Sequence, residues 1–493
     1  MSGGKPTPLA SSRLTLEQLE VVMQPPGPLA VFAGAGSGKT NTLVGRAIHM
    51  IMAEHIPPTN VLAITFSNAG VGALRERLTK YLGAAGEAVH VVTFHSFARW
   101  IVSRHYRRAG YSKAPSEREA VLEGRRLDDA LLEALRRTDC EPPTEALLAA
   151  MHDAVNAARA ARAVEGFIPY DPSHAAVLPV VERFEALRRE RNLIDMPGML
   201  LDAVRILRES DTALRSIQEA YQLVLADEFQ DIDVVQFTLL RMLVARHGNL
   251  TAMGDPMQTL YGFRGAEPRY LVNFADFFRG ARVMTLTENF RSTGEIVAAA
   301  NAIAALLPYG QQLTTANPPG DPPRARGLRD EEAEARFIAR EVRGLLDGGV
   351  RPEDIAVLVR DGKHQAAPLK AALGEQRIPF GGPKAEQPKV RLGTIHASKG
   401  EEWVAVFVAG FEERILPSRH ALENQDDPGR ALEAETCVAY VALTRARASL
   451  TITFCERRAD GARSGGDADR ECHPSRFLRV LSGNAAGRRG SAA

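Results

Sequence analysis

The chain has 493 residues, 45% hydrophobic and 25% charged, which suits a globular protein of two to four full-sized domains. Lys and Arg (61) balance Asp and Glu (60), so a net charge of +1 excludes a basic body and leaves any nucleic-acid surface to a local groove. Four scattered cysteines (Cys140, Cys437, Cys455, Cys472) and the lack of a long apolar run argue against a zinc ribbon, a disulfide framework, an iron–sulfur centre, a signal peptide and a membrane partner, so a cytoplasmic protein is expected.

In chain order, Leu14-Thr-Leu-Glu-Gln-Leu19 reads as a helix start capped by Thr15. Gln18 there can offer a donor and an acceptor to an adenine edge; an ordinary surface glutamine is the plainer alternative. The apolar run Leu29 to Phe32 predicts a buried strand. Ala33, Gly34, Ala35, Gly36, Ser37 and Gly38 break it, and Lys39-Thr40 open a helix. That is the strand–loop–helix setting of a phosphate-binding loop, with backbone N–H groups around the phosphates, Lys39 on the β- and γ-phosphates and the Thr40 hydroxyl on Mg²⁺. Ala33 stands where the first glycine of G-x-x-x-x-G-K-T is usual, so a glycine-rich turn of some other α/β enzyme is the competing reading.

Asn60 to Phe66 and His90 to Ser96 predict two further strands. Ligands of open parallel sheets collect at strand carboxyl ends, which makes Phe66 and His95 candidates for a substrate path, against core aromatics. From Arg107 to about Ser210 the chain predicts helices without strands (Leu127–Leu135, Ala146–Ala161, Val180–Arg191), an inserted subdomain. Tyr221 to Asp231 predicts a strand ending in Asp227 and Glu228, adjacent carboxylates suited to hold Mg²⁺ and orient an attacking water. Leu250 to Gln258 is another strand with a polar end. Tyr261, Phe263 and Arg264 interleave aromatics with a cation, as stacking on unpaired bases requires. Thr285 to Thr293 sets Arg291 at a strand-to-helix junction.

After the proline-rich stretch Asn317–Pro323, a second α/β unit is expected: a helix (Glu331–Leu346), a strand (Asp354–Arg360), the segment Val390–Trp403, strands at Val404–Gly410 and Leu450–Phe454, and Tyr440–Arg447 before the last. Pro474–Leu481 predicts a docked helix. Arg457–Asp469 and Gly483–Ala493 are expected to be disordered.

From Leu14 to about Leu478 these segments, in this order, resemble the superfamily 1 DNA helicases of the UvrD/Rep type. The resemblance implies an α/β protein of two RecA-like P-loop NTPase domains with parallel sheets. The first would comprise residues 1–106 and 212–287, interrupted by a helical insertion at 107–211; the second 288–481, with a tail at 482–493. It implies ATP and Mg²⁺ as cofactors and 3′-to-5′ movement along single-stranded DNA, with single/double-strand junctions as partners. Residue by residue, it implies that Gln18 reads adenine, Phe290 stacks on it and Glu402 holds the ribose. Lys39, Thr40 and Asp227 hold phosphates and Mg²⁺, Glu228 is the catalytic base, Gln258 senses the γ-phosphate, and Arg291 and Arg445 approach it. Phe66, His95, Tyr261, Phe263, Arg264 and His396 line the DNA path.

Several positions depart from the family pattern. Asn41 replaces an arginine, Ala69 a lysine and Glu401 a leucine, and Glu435-Thr436 replaces an arginine pair. Only about thirty residues, Arg360 to Val390, stand where the family usually inserts a helical domain called 2B. The leading expectation is a DNA-dependent ATPase that translocates or unwinds. The competing one is the helicase subunit of a nuclease-containing anti-phage complex such as Gabija, the nuclease being a separate partner chain; a loading partner is a further expectation.

Overall fold

The computed structural model describes residues 14–115, 121–136, 145–163, 177–260, 262, 265–382, 388–423, 427–459 and 469–487. The chain divides into two compact units. One comprises residues 1–31, 40–254 and 263–284, the other 32–39, 255–262 and 285–493.

In the first, helix α1 (Leu16–Val22) leads to β1 (Leu29–Ala33), and helix α2 (Lys39–Met52) to β2 (Val61–Thr65). Helix α3 (Asn68–Leu82) then precedes β3 (His90–Thr93), and α4 (Phe94–Arg104) starts directly after it. The expected strand over His90–Ser96 is thus shorter. Thr93 caps α4 through its hydroxyl, which accepts from the Ser96 N–H at 3.2 Å, so His95 lies in a helix's first turn.

The insertion is helical, with α5 (Arg125–Arg136), α6 (Glu145–Ala163), α7 (Leu178–Glu190) and α8 (Met196–Glu209). It is not strand-free: β4 (Val121–Leu122) and β5 (Ile194–Asp195) pair in parallel. Leu131, Leu135, Val180, Phe184 and Leu187 form its apolar core. Beside that core a polar network is buried. Arg159 makes a two-pronged bond to Asp195 (2.6 and 2.9 Å). Arg188 donates to Glu185 (2.7 Å), to the Tyr111 hydroxyl (2.6 Å) and to Asp202 (3.3 Å). Burial works against ionised carboxylates here, but the two guanidiniums win and hold Glu185 and Asp195 down at about 2.

Helix α9 (Asp211–Ala220), β6 (Leu223–Ala226), helix α10 (Val234–Val244), β7 (Leu250–Gly254) and β8 (Arg282–Leu286) complete a sheet of order β3-β2-β6-β7-β1-β8. Its β3/β2, β2/β6 and β6/β7 pairs are parallel. The near-continuous burial of β1, β2, β6 and β7 is what a parallel sheet covered on both faces demands.

The second unit repeats the plan. Helix α11 (Gly294–Ala304), β9 (Arg324–Leu328), α12 (Glu331–Asp347), β10 (Ile355–Val359) and α13 (Gly362–Glu375) lead to β11 (Phe380–Gly381) and β12 (Val390–Thr394). Then come β13 (Trp403–Ala409), α14 (Pro428–Thr444) and β14 (Ala446–Cys455). The order is β11-β12-β10-β13-β14-β9, every pair parallel. Alternation along β10 and β13 explains the layering. Ala356, Leu358, Val406 and Val408 pack with residues of α11 and α14, while Ile355, Val357, Val359 and Phe407 pack with residues of α12 and α13.

Two tail expectations are corrected. β15 (Arg457–Ala459) pairs antiparallel with β16 (Asp469–Glu471), because Arg458 is drawn into buried carboxylates, donating to Glu412 (2.7 Å) and Glu334 (2.8 Å). Helix α15 (Arg476–Gly487) runs five residues into the stretch read as disordered from Gly483.

Candidate functional site

Residues 34–38 link β1 to α2, with Gly36 (φ 71°) and Gly38 (φ 80°) in the left-handed region that glycine tolerates. A Cβ on Gly36 would lie 2.7 Å from the Asn289 amide and 2.8 Å from Arg291 Cβ, so the loop must stay bare backbone there. Its carbonyls are taken up inside the second unit. Lys39 Nζ donates to the oxygens of Ala33 (2.9 Å) and Gly34 (3.3 Å), Asn289 Nδ2 to that of Ala35 (2.7 Å), and the Phe290 N–H to that of Gly36 (3.0 Å). With carbonyls turned away and α2 opening at Lys39, the loop suits an anion. The residues therefore fit a nucleotide's phosphates, and hard oxygen donors at Thr40 and Asp227 suit Mg²⁺. Among the described residues no group of three or more His, Cys, Asp or Glu is placed to hold a metal; a Mg²⁺ shared with phosphates needs no such group.

The same unit gathers most of the arginine candidates. Arg445 is 1% exposed and donates to Val441 O, Glu401 O and Gln258 Oε1, each at 3.1 Å. Gln258 in turn donates to Asp255 Oδ2 at 2.6 Å, and its carbonyl accepts from Lys399 Nζ at 2.7 Å. Arg291 donates through Nε to Glu402 (2.5 Å) and through Nη1 to Thr444 O (3.1 Å). Glu402 also has Arg447 Nε at 4.0 Å, and Phe290 is 46% exposed. His396 opens a short 3-10 turn after β12. Burial, and then the charge of Arg360, push its imidazole down to about 4. Arg360 itself is paired with Glu435 at 2.6 Å, which gives the unusual acid at 435 a partner.

In the first unit, Gln18 is buried and completes a capping box: its Oε1 accepts from the Thr15 N–H (3.1 Å), and Thr15 Oγ1 accepts from the Gln18 N–H (3.3 Å). The wholly buried Arg46 of α2 fixes the turn after α1, donating to the carbonyls of Val22 (3.0 Å), Gln24 and Pro25 (3.1 Å). Asp227 lies just past β6 and accepts from the Glu228 N–H at 3.0 Å. Glu228 has φ 52°, and its Oε2 accepts from Gln230 Nε2 at 2.5 Å. Phe66 follows β2 directly. Tyr261, Phe263 and Arg264 lie outside the described residues.

Two findings were out of reach of the sequence reading. Asn289, ahead of Phe290-Arg291, accepts from the N–H groups of Arg291 (2.9 Å) and Ser292 (2.8 Å) while its amide holds the phosphate loop; an Asn at a strand-to-helix junction was the available signal. Arg77 of α3 donates to Asn41 Oδ1 at 2.6 Å, so a guanidinium does stand beside position 41, supplied from 36 residues away.

A bare glycine loop between a parallel strand and a helix, on one of two doubly wound sheets, defines a P-loop NTPase of RecA-like architecture. Residues 14–279 match the UvrD/REP helicase N-terminal domain, and residues 284–383 and 382–457 match the UvrD-like helicase C-terminal domain in two adjoining pieces. The chain belongs to the UvrD/REP family of ATP-dependent DNA helicases. Similar proteins include the ATP-dependent DNA helicase UvrD2 of Mycobacterium tuberculosis, 27% identical over 94% of this chain and 80% of the relative. The putative ATP-dependent DNA helicase YjcD of Bacillus subtilis is 29% identical over 79% of this chain and 52% of its own length. The ATP-dependent DNA helicase PcrA of Staphylococcus aureus is 28% identical over 75% and 50%. No helix among the described residues is long and apolar enough to cross a membrane.

Proposed function

We propose that the protein is an ATP-dependent 3′-to-5′ single-stranded DNA translocase that acts at single/double-strand junctions. The observation that carries this reading is the phosphate loop, whose carbonyls are held by Lys39, Asn289 and Phe290 so that its backbone is left for an anion.

Bound Mg²⁺–ATP supplies the phosphoryl group and the divalent charge that shields it. Lys39 exchanges two carbonyl partners for phosphate oxygens. Thr40 and Asp227 offer the metal a hydroxyl and a carboxylate. Glu228 orients a water and takes its proton. Arg445 and Arg291 add positive charge where it develops, and Gln258, bonded to Arg445, registers that change. Gln18, Phe290 and Glu402 hold base and ribose, while Phe66, His95, His396, Tyr261, Phe263 and Arg264 line the strand. Charge stabilisation by such arginines is worth roughly 10³–10⁵ in rate, enough to make hydrolysis wait on correct assembly.

The test is ATP turnover with and without single-stranded DNA, in the parent and in Lys39→Ala. Strong stimulation by DNA in the parent and its loss in the variant are expected. Turnover indifferent to DNA would overturn the reading.

A further inference from the structure

We propose that the C-terminal end of α4 and the turn after it form a second nucleic-acid contact, which grips the phosphate backbone of duplex DNA. The inference rests on the translocase reading above and names a further surface of the same machine.

The signal begins in the charge pattern. Asp and Glu together equal Lys and Arg across the chain, yet no acidic residue occurs between Glu87 and Glu117, a stretch that holds Arg99, Arg104, Arg107, Arg108 and Lys113. The structure puts Arg99, Arg104, Arg107 and Arg108 at the surface. Among the described residues none of these four is in an ion pair with a carboxylate. Helix α8 packs against α4, and neither of its carboxylates, Asp202 and Glu209, is ion-paired with an arginine of α4. Its Asp202 is taken by Arg188, Tyr111 and Arg205, and Arg205 donates to Ala109 O at 2.8 Å. His105, between them, has its pKa lowered by burial and then by Arg108 and Arg104, so only positive charge reaches it.

The aromatic rings decide between duplex and single strand. Single-strand tracks offer open ring faces to bases. Here Trp100 stacks on Phe97 (5.6 Å, 14°), carries the Arg104 guanidinium 4.8 Å from its centroid and meets His90 and Tyr221 at steep angles, so its ring is already engaged. Tyr106 has Arg107 at 5.7 Å. Rings engaged in this way hold guanidiniums rather than present a row of open faces, so the patch suits phosphates, as non-specific duplex binding does. Position agrees. His95 and Arg104 share one helix and lie about 14 Å apart at 1.5 Å per residue, about four base steps of 3.4 Å. A junction whose single strand lies at His95 puts duplex phosphates in reach of the far end.

The test uses the full chain, as parent, as an Arg104→Ala/Arg107→Ala/Arg108→Ala variant and as the corresponding triple lysine variant. Affinity is measured between 50 and 200 mM salt for a hairpin duplex with a 3′ tail and for the tail alone, at roughly 0.9 of slope per phosphate contact. We expect the alanine variant to lose about 2–3 from the log–log salt slope on the tailed hairpin and to bind it about tenfold or more weakly. Its affinity for the tail alone should stay within about twofold, and the lysine variant should recover the slope. An unchanged slope on the hairpin, as for a patch that docks an acidic protein, would overturn the proposal, and so would an equal loss on the tail alone. A parent that binds neither ligand would instead remove the translocase reading itself.

Discussion

Glu228 sits at φ 52°, a left-handed conformation that costs a non-glycine residue on the order of 1 kcal/mol, with Asp227 and Gln230 bonded on either side. Strain kept at a carboxylate fits a group whose aim matters. Glu228→Gln should therefore keep Mg²⁺–nucleotide binding and lose about 10²–10⁴ in turnover; near-parent turnover would remove it as the base. Arg445→Ala should lower kcat by on the order of 10³ while KM for ATP moves far less, with Arg445→Lys as the variant that keeps charge. Equal losses in both constants would mark a ground-state clamp. His396 carries a pH signature. Its folded pKa of about 4 lies below the unfolded value of 6.5, so the unfolded chain takes up the proton first as pH falls. Stability should drop by on the order of 2–3 kcal/mol between about pH 6.5 and 4 and level off for this group below that. Urea midpoints against pH, in parent and His396→Asn, check it: the difference between the two should be constant above about pH 7 and change only as pH falls from about 6.5 to 4.

At the scale of elements, the helical insertion depends on one buried charge network. Asp195→Asn removes the carboxylate that Arg159 grips with both prongs, leaving it Glu185 at 2.7 Å, and should destabilise the insertion by about 1.5–3 kcal/mol. Amide exchange in α6 and α7 should accelerate while β6 and β7 keep their protection. In the parent, Glu185 and Asp195 have folded pKa values of about 2, below their ordinary values of 4.5 and 3.8, so their contribution is lost as pH falls from about 4.5 toward 2. Exchange that rises uniformly in all elements would contradict a locally cooperative insertion. While α8 was covered only by the general helical character of the stretch, three of the insertion's helices, α5, α6 and α7, were legible from their 3.6-residue periodicity. Its network was not, since Tyr111, Arg159, Arg188, Asp195 and Asp202 come from distant segments and buried charges look like surface charges in a sequence. The start of α4 was also misplaced: Val91-Val-Thr-Phe reads as continuing strand, and only the Thr93 cap ends it.

For the whole molecule, the two parallel sheets were readable from apolar runs that end in functional residues. A role for Arg445 came only with the family resemblance, whereas the phosphate loop was readable from Gly34 to Thr40 and the Asp227-Glu228 pair from its place at a strand end. Pairings across the sequence were not: Arg77 with Asn41 and Arg360 with Glu435 leave no local trace. The two adjoining C-terminal matches, at 284–383 and 382–457, support a motor without a large domain between them. Such a chain should move along a single strand yet separate only short duplexes alone, and a partner should lengthen them. The most direct measurement is single-turnover unwinding of duplexes of increasing length, carrying 3′ or 5′ single-stranded tails. A 3′ tail should be required, and the unwound fraction should fall steeply with length. Preference for 5′ tails, or efficient unwinding of long duplexes by the isolated chain, would contradict it.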